Sequence, residues 1–295
     1  MTLIGRIRVG FGLAAVIVAT SLVALFQPIV LKTGMVSDRI IPRLWHRFAL
    51  RVFGIRLRTT GAIAEGRPLL LVSNHISWTD IVILGASADV NFIAKADMIK
   101  WPVIGWLCTL QRTLFVDRSR PRQSGEQANE IGTRIAAGDP MVLFAEGTTS
   151  DGNLLMPFKS TLFGAATMAL AAAPEKKVFI QPVAVAYTRL QGMPMGRQHR
   201  GHSAWIGDQD LVPHVVSLLR EGAMDAELRF GEPIVFDAAS NRKQVARLIE
   251  TRVRDMMIAA LRDPLPRKEE PKEGGEEREE GSTVADGGKE LRAFS

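Results

Sequence analysis

Leu69-Leu70-Leu71-Val72-Ser73-Asn74-His75-Ile76-Ser77-Trp78-Thr79-Asp80 is the stretch from which the rest of the chain can be read. Leu69 to Val72 is a short apolar run bounded by polar residues, the pattern of a buried strand. Ser73, Asn74 and His75 end it. Ser77 and Asp80 have the spacing of a capping box, so a helix is expected from about Ser77. On a regular helix, His75 and Asp80 would point about 140° apart. With His75 on the turn before the helix, Asp80 can instead hold one imidazole nitrogen and leave the other free as a base. Two readings stand side by side. One is a His/Asp pair that takes a proton from a substrate hydroxyl; the other is a helix cap next to an ordinary turn histidine.

The rest of the chain narrows the chemistry. No Gly-x-Ser-x-Gly elbow follows a strand. The single cysteine, Cys108, sits in the apolar run Ile104-Gly-Trp-Leu-Cys-Thr-Leu110 and reads as a packing residue. If the His/Asp pair is catalytic, it activates a hydroxyl directly, without a covalent enzyme intermediate. His199 and His202 lack a third ligand at suitable spacing, so no metal site is expected. His46 is given no catalytic role.

Working outward, apolar strands alternate with helical segments. Residues 56–73 read as a hairpin-like lead-in and then the motif strand. Asn91 to Ala94, Met141 to Ala145, Val178 to Ala186 and Leu228 to Phe236 read as further strands, the last with a turn inside. Helices are expected from Asp80 to about Ala86, from Trp101-Pro102, over Gln123–Ala137, up to Ala173, over Leu211–Leu219 and over Arg242–Leu261. The expected fold is α/β, a largely parallel or mixed sheet flanked by helices. Glycine in Glu146-Gly147-Thr148 permits a tight turn with exposed amides at a strand end. Lys159 stands just before an alanine-rich helix, where an anion also binds well. Arg118, Arg120 and Arg122 form either an anion-binding cluster or a plain solvated loop.

The N-terminus is of another kind. No charge occurs from Val9 to Leu31, a run long enough to span about 30 Å of hydrocarbon. Gly10, Gly12 and Pro28 suggest a helix that bends or inserts only partly. Arg39, Arg43, Arg47 and Arg51 recur every fourth residue, which places them on one helical face. Between them lie Leu44, Trp45, Phe48, Leu50 and Phe53. The pattern fits a helix in the membrane interface with its arginines near lipid phosphates; a solvated face on a packed helix is the alternative. Over its 295 residues the chain carries a net charge of +6, unevenly spread. Residues 264–295 hold nine acidic and six basic side chains and are expected to be disordered, which leaves +9 on the rest. A basic body suits nucleic acid or an anionic membrane. No nucleic-acid motif is present, so the membrane is the expected partner. One cysteine excludes an internal disulfide.

Four motifs in order resemble the signature of the glycerolipid acyltransferase family, which contains the 1-acylglycerol-3-phosphate acyltransferases. They are Asn74-His75-Ile-Ser-Trp-Thr-Asp80, Phe115-Val-Asp117-Arg118, Ala145-Glu146-Gly147-Thr148-Thr149-Ser150, and Ile180-Gln-Pro182-Val-Ala-Val185. The third departs from the family pattern Pro-Glu-Gly-Thr-Arg-Ser: Ala145 stands for proline and Thr149 for arginine. The resemblance implies His75 as general base with Asp80 as its orienting partner. It implies Arg118 and Glu146-Gly147-Thr148 as acceptor-binding residues, and Lys159 joins them by its place in the sequence. The donor is then an acyl thioester on coenzyme A or acyl carrier protein, with no further cofactor. The acceptor is a lysolipid hydroxyl, foremost 1-acyl-sn-glycerol-3-phosphate. Loss of the arginine at 149 weakens the case for a phosphate and keeps lyso-ornithine lipid as the alternative. A non-catalytic lipid-binding protein and a thioester hydrolase are the rival functions. The expected organisation is an anchoring helical segment over 1–58, an acyltransferase domain over 59–263 and a tail over 264–295. The expected location is the inner membrane, with the domain on its cytoplasmic side.

Overall fold

The computed structural model describes residues 3–116 and 130–266. Arg118 and the tail from residue 267 onward lie outside them.

Nine strands form one mixed sheet among the described residues. Its order is β1 (Ile55–Thr60), β8 (Met224–Phe230), β6 (Val178–Leu190), β2 (Leu69–Ser73), β5 (Met141–Phe144), β3 (Asn91–Lys95) and β4 (Leu114–Val116). β7 (Met193–Pro194) and β9 (Ile234–Phe236) pair with β6. From β6 through β4 every neighbouring pair is parallel, as is β1 with β8; β8, β7 and β9 run antiparallel to β6. The segment before β2 is therefore not a hairpin: β1 lies on an edge beside β8, which comes much later in the chain.

β2 is buried on both faces, which is why it reads as a continuous apolar run. Leu69 and Leu71 join the core on one side of the sheet, and Leu70 and Val72 join the core on the other. The first layer contains α1 (Leu3–Thr33), α2 (Ile40–Val52), α3 (Thr79–Ser87) and α7 (Leu211–Glu221). The second contains the helix at 130–136, here α5, with α6 (Gly164–Ala172) and α8 (Arg242–Arg262). A single helical turn over Ala96–Lys100 precedes α4, which begins at Ile104 rather than at Pro102 and runs to Leu110.

α1 runs through Gly10, Gly12 and Pro28 without a break and is long and apolar enough to cross a membrane. One face docks on the body. Val9 is buried, Gly12 abuts Leu219 of α7, and Thr20 Oγ1 accepts from Trp45 Nε1 at 3.0 Å. Gln27 is buried and donates to the carbonyls of Asp38 and Leu110. The other face exposes Phe11, Val18, Leu22, Leu25, Phe26 and Ile29. The arginine stripe of α2 is spent largely on protein partners, with Arg51 left exposed. Arg43 donates to the Ser87 carbonyl and pairs with Asp89 at 3.0 Å, and Arg47 donates to the Ala86 carbonyl. Arg39 pairs with Asp139. Carbonyls in the last turn of a helix lack helical partners and attract cations, and α3 presents its own to these arginines. What α2 turns outward includes Ile40 and Leu44.

Candidate active site

The site grows from the carboxyl end of β2, where parallel strands leave a crevice. Asn74 comes first. Its side-chain oxygen accepts from Val185 N at 2.8 Å and its amide donates to Val185 O at 2.9 Å, so a buried side chain continues the ladder to β6. His75 then sits on the turn, and α3 starts at Thr79. Asp80, in the first turn of α3, is fully buried. Its Oδ2 accepts from Ile76 N at 2.6 Å and Ser77 N at 2.9 Å, and lies 2.9 Å from His75 Nδ1. The cap and the histidine partner are thus one carboxylate: the same oxygen meets the backbone of the turn and the imidazole. With Nδ1 engaged, Nε2 has no protein partner among the described residues.

The third motif grips the first. β5 lies beside β2, with Phe144 opposite Ser73. The Phe144 ring stacks on the His75 imidazole at 3.9 Å and 16°. Glu146 Oε1 accepts from His75 N at 2.6 Å, and Oε2 accepts from Met156 N at 2.9 Å. Ser150 donates to the His75 carbonyl from both its backbone nitrogen, at 2.8 Å, and its hydroxyl, at 3.2 Å. His75 is therefore held at both its N–H and its C=O by the 146–150 turn. Burial pushes the Glu146 carboxyl up to about 7; Asp80 and Glu250 add to the rise, and the two backbone hydrogen bonds oppose it.

His75 opens onto a cavity of about 680 Å³. Gly147, Thr148 and Thr149 line it, with Lys95 at the end of β3 and Asp208 and Asp210 from the loop before α7. That loop is tied to the dyad by Trp205 N, which donates to Ile76 O at 3.0 Å. Gly147 has a φ of +73°, which suits glycine and turns the following residues into the wall. The backbone nitrogens of Thr148 and Thr149 donate to nothing among the described residues. A second, apolar cavity of about 160 Å³ shares Ile81, Met98, Trp101, Cys108 and Trp205 with the first. Thr20 and Val23 of α1 and Trp45 of α2 also line it. Burial raises the Cys108 thiol and so keeps it protonated in that wall. Burial lowers His46 to about 4, and its Nε2 is engaged by Gln111.

Set against the sequence expectations, His75, Asp80, Gly147 and Thr148 come together. Glu146 belongs to the same cluster but faces inward: both its oxygens are taken by backbone nitrogens, and it is absent from the cavity wall. Lys159 precedes a short helix as expected, yet its side chain is exposed and away from the cavity. Sequence reasoning missed Tyr187, whose hydroxyl reaches Asp80 Oδ1 at 2.7 Å. A signal for it was present: Val183, Val185 and Tyr187 alternate along β6 and share one face.

A family model described as Acyltransferase matches residues 54–186. The lyso-ornithine lipid O-acyltransferase of Brucella abortus is 50% identical over 259 residues, covering 88% of this chain and 97% of that protein. The enzyme of the same name from Rhizobium meliloti is 50% identical over 224 residues, 76% of this chain and 77% of that protein. Among solved structures, the 1-acyl-sn-glycerophosphate acyltransferase PlsC of Thermotoga maritima superposes with a TM-score of 0.54 at 18% identity. That match covers 88% of this chain and all of that one, and it shows a shared fold. A His/Asp pair at the end of a parallel strand, the four motifs in order and a near full-length relative at half identity agree: this chain is an acyltransferase and belongs to the glycerolipid acyltransferase family.

Proposed function

We propose that the chain moves an acyl group from a thioester to the hydroxyl of lyso-ornithine lipid, at the cytoplasmic side of the inner membrane. The observation that carries this reading is Thr149. It lies on the wall of the His75 cavity, at the position where the family motif places an arginine. A phosphomonoester acceptor gains most from that guanidinium. An ornithine head group acylated on one nitrogen has one ammonium and one carboxylate, and the described wall offers Asp208 and Asp210 with Lys95. The relatives at half identity carry the lyso-ornithine name. The acceptor first expected, 1-acyl-sn-glycerol-3-phosphate, therefore gives way to the alternative.

In this mechanism the acceptor hydroxyl donates to His75 Nε2 and attacks the thioester carbonyl. Nε2 takes the proton, and Asp80 stabilises the imidazolium through Nδ1–H. The free amides of Thr148 and Thr149 meet the oxyanion. The intermediate then collapses, and His75 returns its proton to the departing thiolate. The thiol carrier is coenzyme A or acyl carrier protein, both cytoplasmic, which supports that side for the cavity. Glu146 positions the His75 turn. Arg118 stays in the proposal as an acceptor ligand on the strength of its motif alone. The apolar face of α1 and the adjoining apolar cavity bring the lipid chains to the site.

The test offers labelled acyl-coenzyme A and acyl carrier protein donors with lyso-ornithine lipid or lysophosphatidate, and includes His75→Ala. The expected outcome is acylation of lyso-ornithine lipid that falls by about 10²–10⁴-fold in His75→Ala. Acylation of lysophosphatidate alone would overturn the acceptor assignment. Free fatty acid without acceptor consumption would support the hydrolase instead.

A further inference from the structure

The His75–Asp80 pair has a third member on β6. Tyr187 is the only tyrosine in the chain, and it is buried. Its hydroxyl lies 2.7 Å from Asp80 Oδ1 and 2.5 Å from Thr79 Oγ1. Chemistry fixes the direction of both bonds. An ionised carboxylate only accepts, so Tyr187 gives its single proton to Asp80, and the Thr79 hydroxyl donates to the tyrosine oxygen. Burial, with the Asp80 charge second, raises the phenol well above its ordinary range, so it remains a donor.

The two oxygens of Asp80 are thus occupied differently. Oδ2 faces His75 Nδ1 and two backbone nitrogens, whereas Oδ1 is held by Tyr187. Neither Asp80 nor Tyr187 lines the cavity, so neither touches substrate. We propose that Tyr187 is a positioning residue for acyl transfer: it anchors Asp80 Oδ1 so that Oδ2 stays on His75 Nδ1 while the imidazole gains and returns its proton. The proposal rests on the acyl-transfer reading. No proton passes to Asp80 or Tyr187. The hydroxyl proton enters at Nε2 and leaves on the thiolate, and Tyr187 tempers the basicity of the carboxylate throughout.

The experiment compares the full chain with Tyr187→Phe and Thr79→Val, measuring kcat, KM for both substrates, and the acid limb of the kcat–pH profile. Without the phenol, the Asp80 charge is less compensated. The imidazole holds a proton to higher pH, and so does the carboxylate; both effects move the acid limb up. Other ionisable groups near the dyad are Glu146 from the β5 turn and Lys95, Asp208 and Asp210 on the cavity wall. None bonds Tyr187, so they are common to all three proteins. Tyr187→Phe is expected to lower kcat about tenfold, with KM within about twofold and the acid limb shifted upward. Thr79→Val moves the limb the same way by less. Rates are divided by the folded fraction measured at each pH, so partial misfolding does not mimic the effect. An unmoved limb with unchanged kcat, or a change in KM alone, overturns the role of Tyr187 while leaving acyl transfer standing. A wild-type chain that acylates no acceptor overturns the acyl-transfer reading, and this proposal with it.

Discussion

At the scale of the residue, the site is a histidine held everywhere except at Nε2, which faces the cavity. Its ring is fixed by Asp80 and Phe144, its backbone N–H by Glu146 and its carbonyl by Ser150. Glu146 gives a stability signature. Its folded value of about 7 lies above the ordinary 4.5, so the folded state binds the proton more tightly. Stability must then fall as pH rises from about 4.5 through about 7, by up to about 3 kcal/mol from this group alone. Glu146→Gln cannot titrate and should show a flatter Tm–pH curve over that window. It should also lose activity, because glutamine has a single acceptor oxygen for the two backbone nitrogens of His75 and Met156. A slope as steep as that of the parent protein would sink the assignment. The His75–Asp80 spacing was legible because both partners lie within one turn and its flanks. The inward direction of Glu146 was not: a carboxylate in a strand-end motif reads alike whether it meets a head group or a backbone amide.

At the scale of the element, α1 and α2 show how far periodicity goes. The apolar run predicted a long helix, and its outer face confirms an apolar surface of Phe11, Val18, Leu22, Leu25 and Phe26. An exposed stripe of that kind suits contact with lipid. Leu22→Glu with Leu25→Glu should cut co-sedimentation with anionic vesicles by about tenfold or more, because two charges must then enter the apolar boundary. His75→Ala should bind vesicles as the parent does. Equal binding by the double glutamate variant would exclude this face. The stripe of arginines in α2 was visible in the sequence, but its partner was not. Four-residue spacing defines a face, and both lipid phosphates and helix carbonyls attract cations. Only the placement of α3 against that face decides for the carbonyls of Ala86 and Ser87.

At the scale of the whole molecule, the parallel run β6-β2-β5-β3 gathers the strand ends that carry His75, Glu146 and Lys95 at one edge. The helical layer on one face of the sheet contains α1 and α2, which help line the apolar cavity adjoining the His75 cavity. Cys108 lies where the two cavities share a wall. Cys108→Phe should crowd that shared wall and, if lipid chains pass between the cavities there, narrow their passage. Transfer of a palmitoyl group is expected to fall by about tenfold relative to an octanoyl group, since overfilling a packed wall excludes the longer chain first. Equal losses for both chains would show that the passage is not used.

The sequence by itself determined the α/β class, the buried motif strand, the His75–Asp80 pair and the long apolar N-terminal helix. Each of these is written within one strand, one turn or one helical period, where sequence neighbours are also spatial neighbours. The tertiary structure alone decided that Glu146 and Ser150 grip His75, that β1 leaves β2 for β8, and that Tyr187 stands behind Asp80 from 107 residues away. Those contacts depend on strand order and on which face of the sheet each strand presents. Side-chain alternation fixes which residues share a face, but the choice of neighbouring strand is made by the packing of the whole chain.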